Sequence, residues 1–267
     1  MKYQYKAIIA DYDNTLVGFH QKIKENLKDK ITQLKNEGLI FSIATGRSFT
    51  GIVKETCHIL KLSAPQIVMG GAQIINPVNE SILWEELIPA SEAKSIIDFL
   101  YKKNLYTVVE TSDCDYSSDG KFVYFFRKNI PIKKVKDIPF EPIPKILVVA
   151  YMNNINEKQI VELERNIKSN HPNLSVIKFL YDGKWGLDIT SEKATKHTAV
   201  LEYMKLLNLR PQEVVGVGDN FNDYPLLSAC GFKIAMADAP KELLEIADFI
   251  APSEKDDGLL VALNKFF

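Results

Sequence analysis

The sequence predicts an α/β fold, a Rossmann-like parallel sheet with helices on both faces and an inserted α+β domain. Three observations lead there. The short strand-like runs of the outer segments are apolar throughout, the pattern of strands buried on both faces. Stretches with helical spacing separate those runs, so strands and helices alternate along the chain. The middle third breaks the pattern, with helices and runs in another order and a proline-rich stretch, IPFEPIPK, between two of the runs.

Taken in order, Ala7–Ala10 is the first strand. Ile23, Leu27, Ile31 and Leu34 recur at helical spacing, and Gly38 follows as a stop. Leu39–Ala44 is the second strand, Ile52, Val53, Ile59 and Leu60 mark a second helix, and Pro65 opens a third strand that runs to Gly70. In the middle, helices are expected near Ser91–Lys103 and Asn156–Asn170, with strands at Thr107–Glu110, Lys121–Arg127, Ile146–Met152 and Leu174–Phe179. The alternation then resumes. Lys196–Leu207 is helical by its stripe of Ala199, Val200, Tyr203 and Leu207, and EVVGVGD (Glu213–Asp219) is a buried strand. FKIAMA and DFIA are two shorter strands, with Pro240 as the first residue of the helix between them. The pattern changes near Glu86 and Asp182, so the expected division is a core of 1–86 with 183–267 and an inserted domain of 87–182.

Composition bounds the function. At 267 residues the chain has room for roughly two domains of about 150 residues. A formal net charge of −1 gives no global field to attract nucleic acid or an anionic membrane. Cys57, Cys114 and Cys230 are odd in number and lack metal-type spacing, which reads as reduced thiols. The N-terminus has no apolar signal-type region, and no apolar run approaches the ~18 residues of a membrane span. A cytoplasmic location is the expectation.

In a parallel α/β sheet, ligands bind outside the carboxyl ends of the strands. Asp11 and Asp13 follow the first strand, and Thr45, Gly46 and Arg47 follow the second. Asp219 follows VVGVG, with Asn222 and Asp223 just beyond, and Lys196 opens a helix. Carboxylates, small hydroxyl and amide donors and one ammonium suit a hard divalent cation together with a phosphate. A lysine at a helix N-terminus faces the positive end of the helix dipole, which an anion bound there would offset.

DYDNTLV, ATGR, Lys196 in DITSEKATKHTAV, and GVGDNFNDYPLL together resemble the four ordered motifs of the haloacid dehalogenase (HAD) superfamily of phosphohydrolases. The middle segment and the tail GFKIAMADAPKELLEIADFIAPSEKDDGLLVAL resemble its Cof-type, IIB branch, which carries a C2-type cap. The resemblance spans essentially the whole chain. It implies a Mg²⁺-dependent phosphatase acting on a small phosphorylated metabolite, a sugar phosphate or similar, through an aspartyl-phosphate intermediate. Asp11 is then the nucleophile and a metal ligand, and Asp13 the general acid and base with its carbonyl on the metal. Asp219 is the remaining carboxylate ligand, with Asp223 in or near the metal shell. Thr45, Gly46, Lys196, Asn222 and the Tyr12 amide would hold the phosphate. Two alternatives stay open: transfer of the phosphoryl group to a sugar, as in a phosphomutase or phosphotransferase, and a phosphate-binding module without turnover.

The physics of phosphoryl transfer fits this inventory, because the reaction is mostly positioning and charge neutralisation. Residues i and i+2 of an extended segment point the same way, so Asp11 and Asp13 can flank one phosphorus. Their mutual repulsion raises one pKa, and the expectation is a protonated Asp13 ready to donate to the leaving group. Each residue also has a plain reading: Asp13-Asn14 as a turn, Asp223 as a helix cap, Arg47 as half of a surface ion pair. Three positions depart from the family pattern. Asn14 stands where glycine is usual and should adopt a left-handed conformation. His197 replaces a glycine, and Gly70-Gly71-Ala72 replaces Asn-Gly-Ala.

Overall fold

The structure is a computed structural model that describes residues 4–18, 22–111, 114–121, 130–181 and 183–267. The chain forms two compact units, one of residues 1–84 with 196–267 and the other of residues 85–195.

The first unit is built on a five-stranded parallel sheet in the order Phe249–Ala251, Phe232–Met236, Val214–Gly218, Ala7–Ala10, Ile40–Ile43. Ala7–Ala10 lies at the interior of the sheet, with Ile8 opposite Val215 on one side and Phe41 on the other. All four of its side chains are fully buried. Burying an aliphatic side chain stabilises by roughly 1.5–3 kcal/mol, which is why these strands carry no polar face. Ala7 and Ile9 pack with Ala199, Val200 and Tyr203 of the helix Lys196–Leu206 and with Leu226 and Leu227 of Tyr224–Ala229. The helix Glu25–Asn36 buries Leu27, Ile31 and Leu34 and lies against Gly258–Phe266. It ends where Gly38 takes φ 92, the left-handed stop its sequence announces. Pro240 caps the helix Lys241–Ile246 from just outside it. Because the strands are parallel, the turns after Ala10, Ile43 and Gly218 leave from one edge of the sheet, and those turns begin the site.

The second unit is a six-stranded sheet in the order Leu174–Tyr181, Lys184–Ser191, Ile146–Val148, Thr107–Glu110, Asp115–Ser117, Ile132–Lys134. Its pairings are antiparallel except the last, between Asp115–Ser117 and Ile132–Lys134. The helices Ala90–Lys102 and Glu157–Asn170 contribute Ile96, Leu100, Ile160 and Ile167 to a core with Val109, Ile146, Val148, Val176 and Ile189. A capping box starts the second helix: the Gln159 amide donates to Asn156 Oδ1 and the Asn156 amide to Gln159 Oε1, both at 3.0 Å.

Lys184–Ser191, assigned with the outer segments on the sequence pattern, pairs along its whole length with Leu174–Tyr181 and clusters with the second unit, which runs on to Thr195. The expected strand at Ile146–Met152 ends at Val148, and a helical turn follows from Ala150 to Asn153. The strand expected at Lys121–Arg127 lies, past Lys121, outside the described residues.

Candidate active site

The first turn of the site is short and closed by its own backbone hydrogen bonds. The Asp11 amide donates to Val217 O at 2.9 Å, continuing the sheet one residue past the strand. Tyr12 O accepts the Leu16 and Val17 amides at 3.1 and 3.0 Å, and the Asn14 amide reaches Val17 O at 2.8 Å. This closure puts Asn14 at φ 57. Asparagine tolerates that left-handed conformation, so the turn survives without the usual glycine. The Tyr12 side chain anchors the turn from below, buried, with its hydroxyl 2.8 Å from Thr56 Oγ1.

Lys196, the first residue of its helix and 2% exposed, joins the first turn to the third. Its Nζ donates to Asp11 Oδ1 at 2.5 Å and to Asp223 Oδ1 at 2.6 Å. The other oxygen of Asp223 accepts the amides of Asp219 and Asn220, both at 3.0 Å, and so closes the turn after the Val214–Gly218 strand. Gly218 makes room for this: a Cβ there would sit 2.5 Å from that of Asp223. Asp219 Oδ1 accepts a hydrogen bond from the Thr15 hydroxyl at 2.7 Å.

Asp13 and Thr45 meet through Arg47. The guanidinium grips Asp13 with two hydrogen bonds, Nε to Oδ2 at 2.7 Å and Nη2 to Oδ1 at 2.6 Å. The Arg47 amide donates to Thr45 Oγ1 at 3.1 Å, and its guanidinium lies 5.8 Å from the Tyr12 ring centroid. The second turn is backed by Met69, Gly70 and Gly71, all at positive φ, with the Met69 amide on Arg47 O and the Gly70 amide on Thr45 O. Thus Gly70, in place of asparagine, serves the backbone path. Gly46 and Asn222 sit half-buried in the second and third turns. His197 points to Ser228 Oγ at 3.0 Å.

Sequence reasoning put Asp11, Asp219, Asp223 and Lys196 at one edge, and the structure brings these four together. It missed Arg47, set aside as a surface residue, and Thr15. Neither partnership has a spacing rule, since Arg47 and Asp13 are 34 residues apart and Thr15 and Asp219 are 204 apart.

The electrostatics are unbalanced. Asp11, Asp219 and Asp223 are buried, each with a ligand atom within 4.8 Å of the others, and Lys196 is the ammonium among them. Burial pushes the Asp11 carboxyl up to about 7, aided by Asp223 and opposed by Lys196. Burial, with Asp223 and Asp11 next, raises Asp219 well above the ordinary carboxylate range. Lys196 is pushed down by burial, but Asp11 and Asp223 more than offset this and hold it above its ordinary value. Three buried carboxylates against one ammonium leave a deficit that a divalent, oxygen-seeking cation fits.

The chain matches the haloacid dehalogenase-like hydrolase family over residues 8–263. YxeH of Bacillus subtilis strain 168, a phosphatase by its provisional name, is 25% identical over 98% of both chains. A 5-amino-6-(5-phospho-D-ribitylamino)uracil phosphatase, YwtE of the same strain, is 23% identical over 97% of both. Among solved structures, the HAD subclass IIB sugar phosphatase BT4131 superposes with a TM-score of 0.82 at 22% identity, covering 98% of each chain. A haloacid dehalogenase-like hydrolase from B. subtilis gives 0.82 at 20% identity, over 98% of this chain and all of that one. At these identities the structural likeness establishes the fold. An α/β core with an inserted α+β unit and a buried carboxylate–lysine cluster defines a hydrolase class. The chain belongs to the haloacid dehalogenase-like hydrolases, as a Cof-type phosphohydrolase.

Proposed function

We propose that the protein is a Mg²⁺-dependent phosphatase that hydrolyses a small phosphorylated metabolite through a phosphoryl group carried on Asp11. The observation that carries this reading is the contact of Lys196 with both Asp11 and Asp223 inside a buried cluster that also holds Asp219. A carboxylate attacking a phosphate dianion is repelled unless positive charge lies beside both, and Lys196 supplies part of it.

The steps follow from the residues. An Asp11 oxygen attacks phosphorus while the bond to the leaving oxygen breaks, and Asp13 gives that oxygen a proton. Water then attacks the phosphorus of the aspartyl phosphate, Asp13 takes a proton from it, and inorganic phosphate leaves with the Asp11 carboxylate restored. Thr45, Gly46, Asn222, Lys196 and the Tyr12 amide orient the phosphate. Asp11, Asp219, the Asp13 carbonyl and Asp223, directly or through its neighbours, would hold Mg²⁺. Bound Mg²⁺ supplies charge neutralisation of the phosphate oxygens.

Residues 85–195 are read as the C2-type cap. The substrate class is a phosphorylated sugar or polyol, in line with what the names of YwtE and BT4131 say of those proteins. Three buried free thiols fit a cytoplasmic setting. The test is p-nitrophenyl phosphate hydrolysis by wild type and Asp11→Asn, with Mg²⁺ and with excess chelator. Release that needs both Mg²⁺ and Asp11 supports the reading; undiminished release in the folded variant or in chelator refutes it.

A further inference from the structure

Thr15 lies in the first motif but has no part in the chemistry above. Its place in the fold gives it one. Thr15 is 1% exposed, inside a turn whose backbone is fixed by the Leu16, Val17 and Asn14 amide hydrogen bonds. Its hydroxyl lies 2.7 Å from Asp219 Oδ1. The hydroxyl is the donor and the carboxyl oxygen the acceptor.

The carboxylates of the cluster are anchored very differently. Asp223 is held by two backbone amides on one oxygen and by Lys196 on the other. Asp11 is held by Lys196. Among the described residues, Thr15 is the hydrogen-bond donor that holds the side chain of Asp219. Asp219 is therefore the carboxylate whose orientation depends on a single, rigidly mounted hydroxyl. That bond occupies Oδ1 and leaves the lone pairs of Oδ2 for another partner. It also ties the turn carrying Asp11 to the turn carrying Asp219, 204 residues away in sequence.

We propose that Thr15 is a positioning residue for the cation site, its hydroxyl fixing the Asp219 carboxylate in the orientation that binds the metal. The inference rests on the reading of Asp11 and Asp219 as cation ligands. Groups that orient metal ligands commonly change metal affinity 10–100-fold when removed, and this is the size of effect the Thr15 hydroxyl should have.

Titration calorimetry of the full chain with Mg²⁺ alone tests it, on wild type, Thr15→Val and Thr15→Ser. Valine keeps the shape and removes the donor, whereas serine keeps the donor. The expected result is Mg²⁺ binding weakened about 10–100-fold in Thr15→Val and restored to within a few-fold of wild type in Thr15→Ser. The Mg²⁺ concentration giving half-maximal turnover should shift in the same order, with turnover recovering at high Mg²⁺. Should valine disturb the turn by near-UV circular dichroism, Thr15→Ala carries the same prediction. Wild-type affinity in a folded variant without the hydroxyl, or equal weakening in valine and serine variants, overturns the role of Thr15 alone. Wild type that binds no Mg²⁺ overturns the cation reading and this inference with it.

Discussion

Arg47 holds both oxygens of Asp13 in a planar fork, at 2.6 and 2.7 Å, and its guanidinium is backed by the buried Tyr12 ring. The proposed acid–base residue is thus oriented by a neighbour from the second turn, not by its own loop. Lysine cannot reproduce a two-point grip on a carboxylate. Arg47→Lys should lower kcat about 10-fold or less, below the 10²–10⁴-fold that general acid–base catalysis supplies. The effect should vanish in an Asp13→Asn background, because the fork then has no carboxyl group to grip with both oxygens. A double-mutant cycle on kcat checks this, with a coupling energy of at least about 0.5 kcal/mol expected.

Asn14 at φ 57 makes a second expectation. Asn14→Gly removes what strain remains and should leave stability and turnover close to wild type. Asn14→Val forces a β-branched side chain into the left-handed region and should cost about 1–2 kcal/mol. Chemical denaturation midpoints of the two variants decide the order.

Far from the site, Glu213 accepts from Arg210, through its side chain and its amide, and from Lys6. The Arg210 guanidinium first, then Lys6, hold its carboxyl down to about 2. The unfolded value is about 4.3. A depressed folded pKa stabilises fully above the unfolded value, and that contribution is lost as pH falls from about 4.3 toward 2. Glu213→Gln should therefore be less stable than wild type near neutrality. The gap should close across that acid window, as read by urea midpoints over the same pH range.

The fold was legible where residues were apolar on both faces. Ala7–Ala10 and Val214–Gly218 announced themselves because a strand between two neighbours and two helix layers has no polar face. The strands that escaped notice lack that signature. Asp115–Ser117 and Ile132–Lys134 are short and largely polar. Lys184–Ser191 contains Gly186, a residue that weakens strand propensity. It is needed there because Phe179 lies across it, and a Cβ would fall 2.3 Å from that ring.

In the site, residues beside strand ends could be found from pattern, as Asp11, Thr45 and Asp219 were. Contacts between turns could not. The Arg47 fork and the Thr15 hydrogen bond arise only when parallel strands bring distant turns to one edge.

The central claim is that Asp11 carries the phosphoryl group and Asp13 moves the protons. Asp13→Asn keeps the nucleophile and the backbone at position 13 while removing the proton donor and acceptor. With p-nitrophenyl phosphate, whose leaving group needs little protonation, phosphorylation should continue while hydrolysis of the acyl phosphate becomes slow. Acid quenching of this variant during turnover, followed by mass spectrometry of the Asp11 peptide, reads the intermediate directly. The account predicts a phosphoryl group on Asp11 together with a burst of p-nitrophenol. A variant slowed in turnover that shows neither the burst nor phosphate on the Asp11 peptide would contradict it.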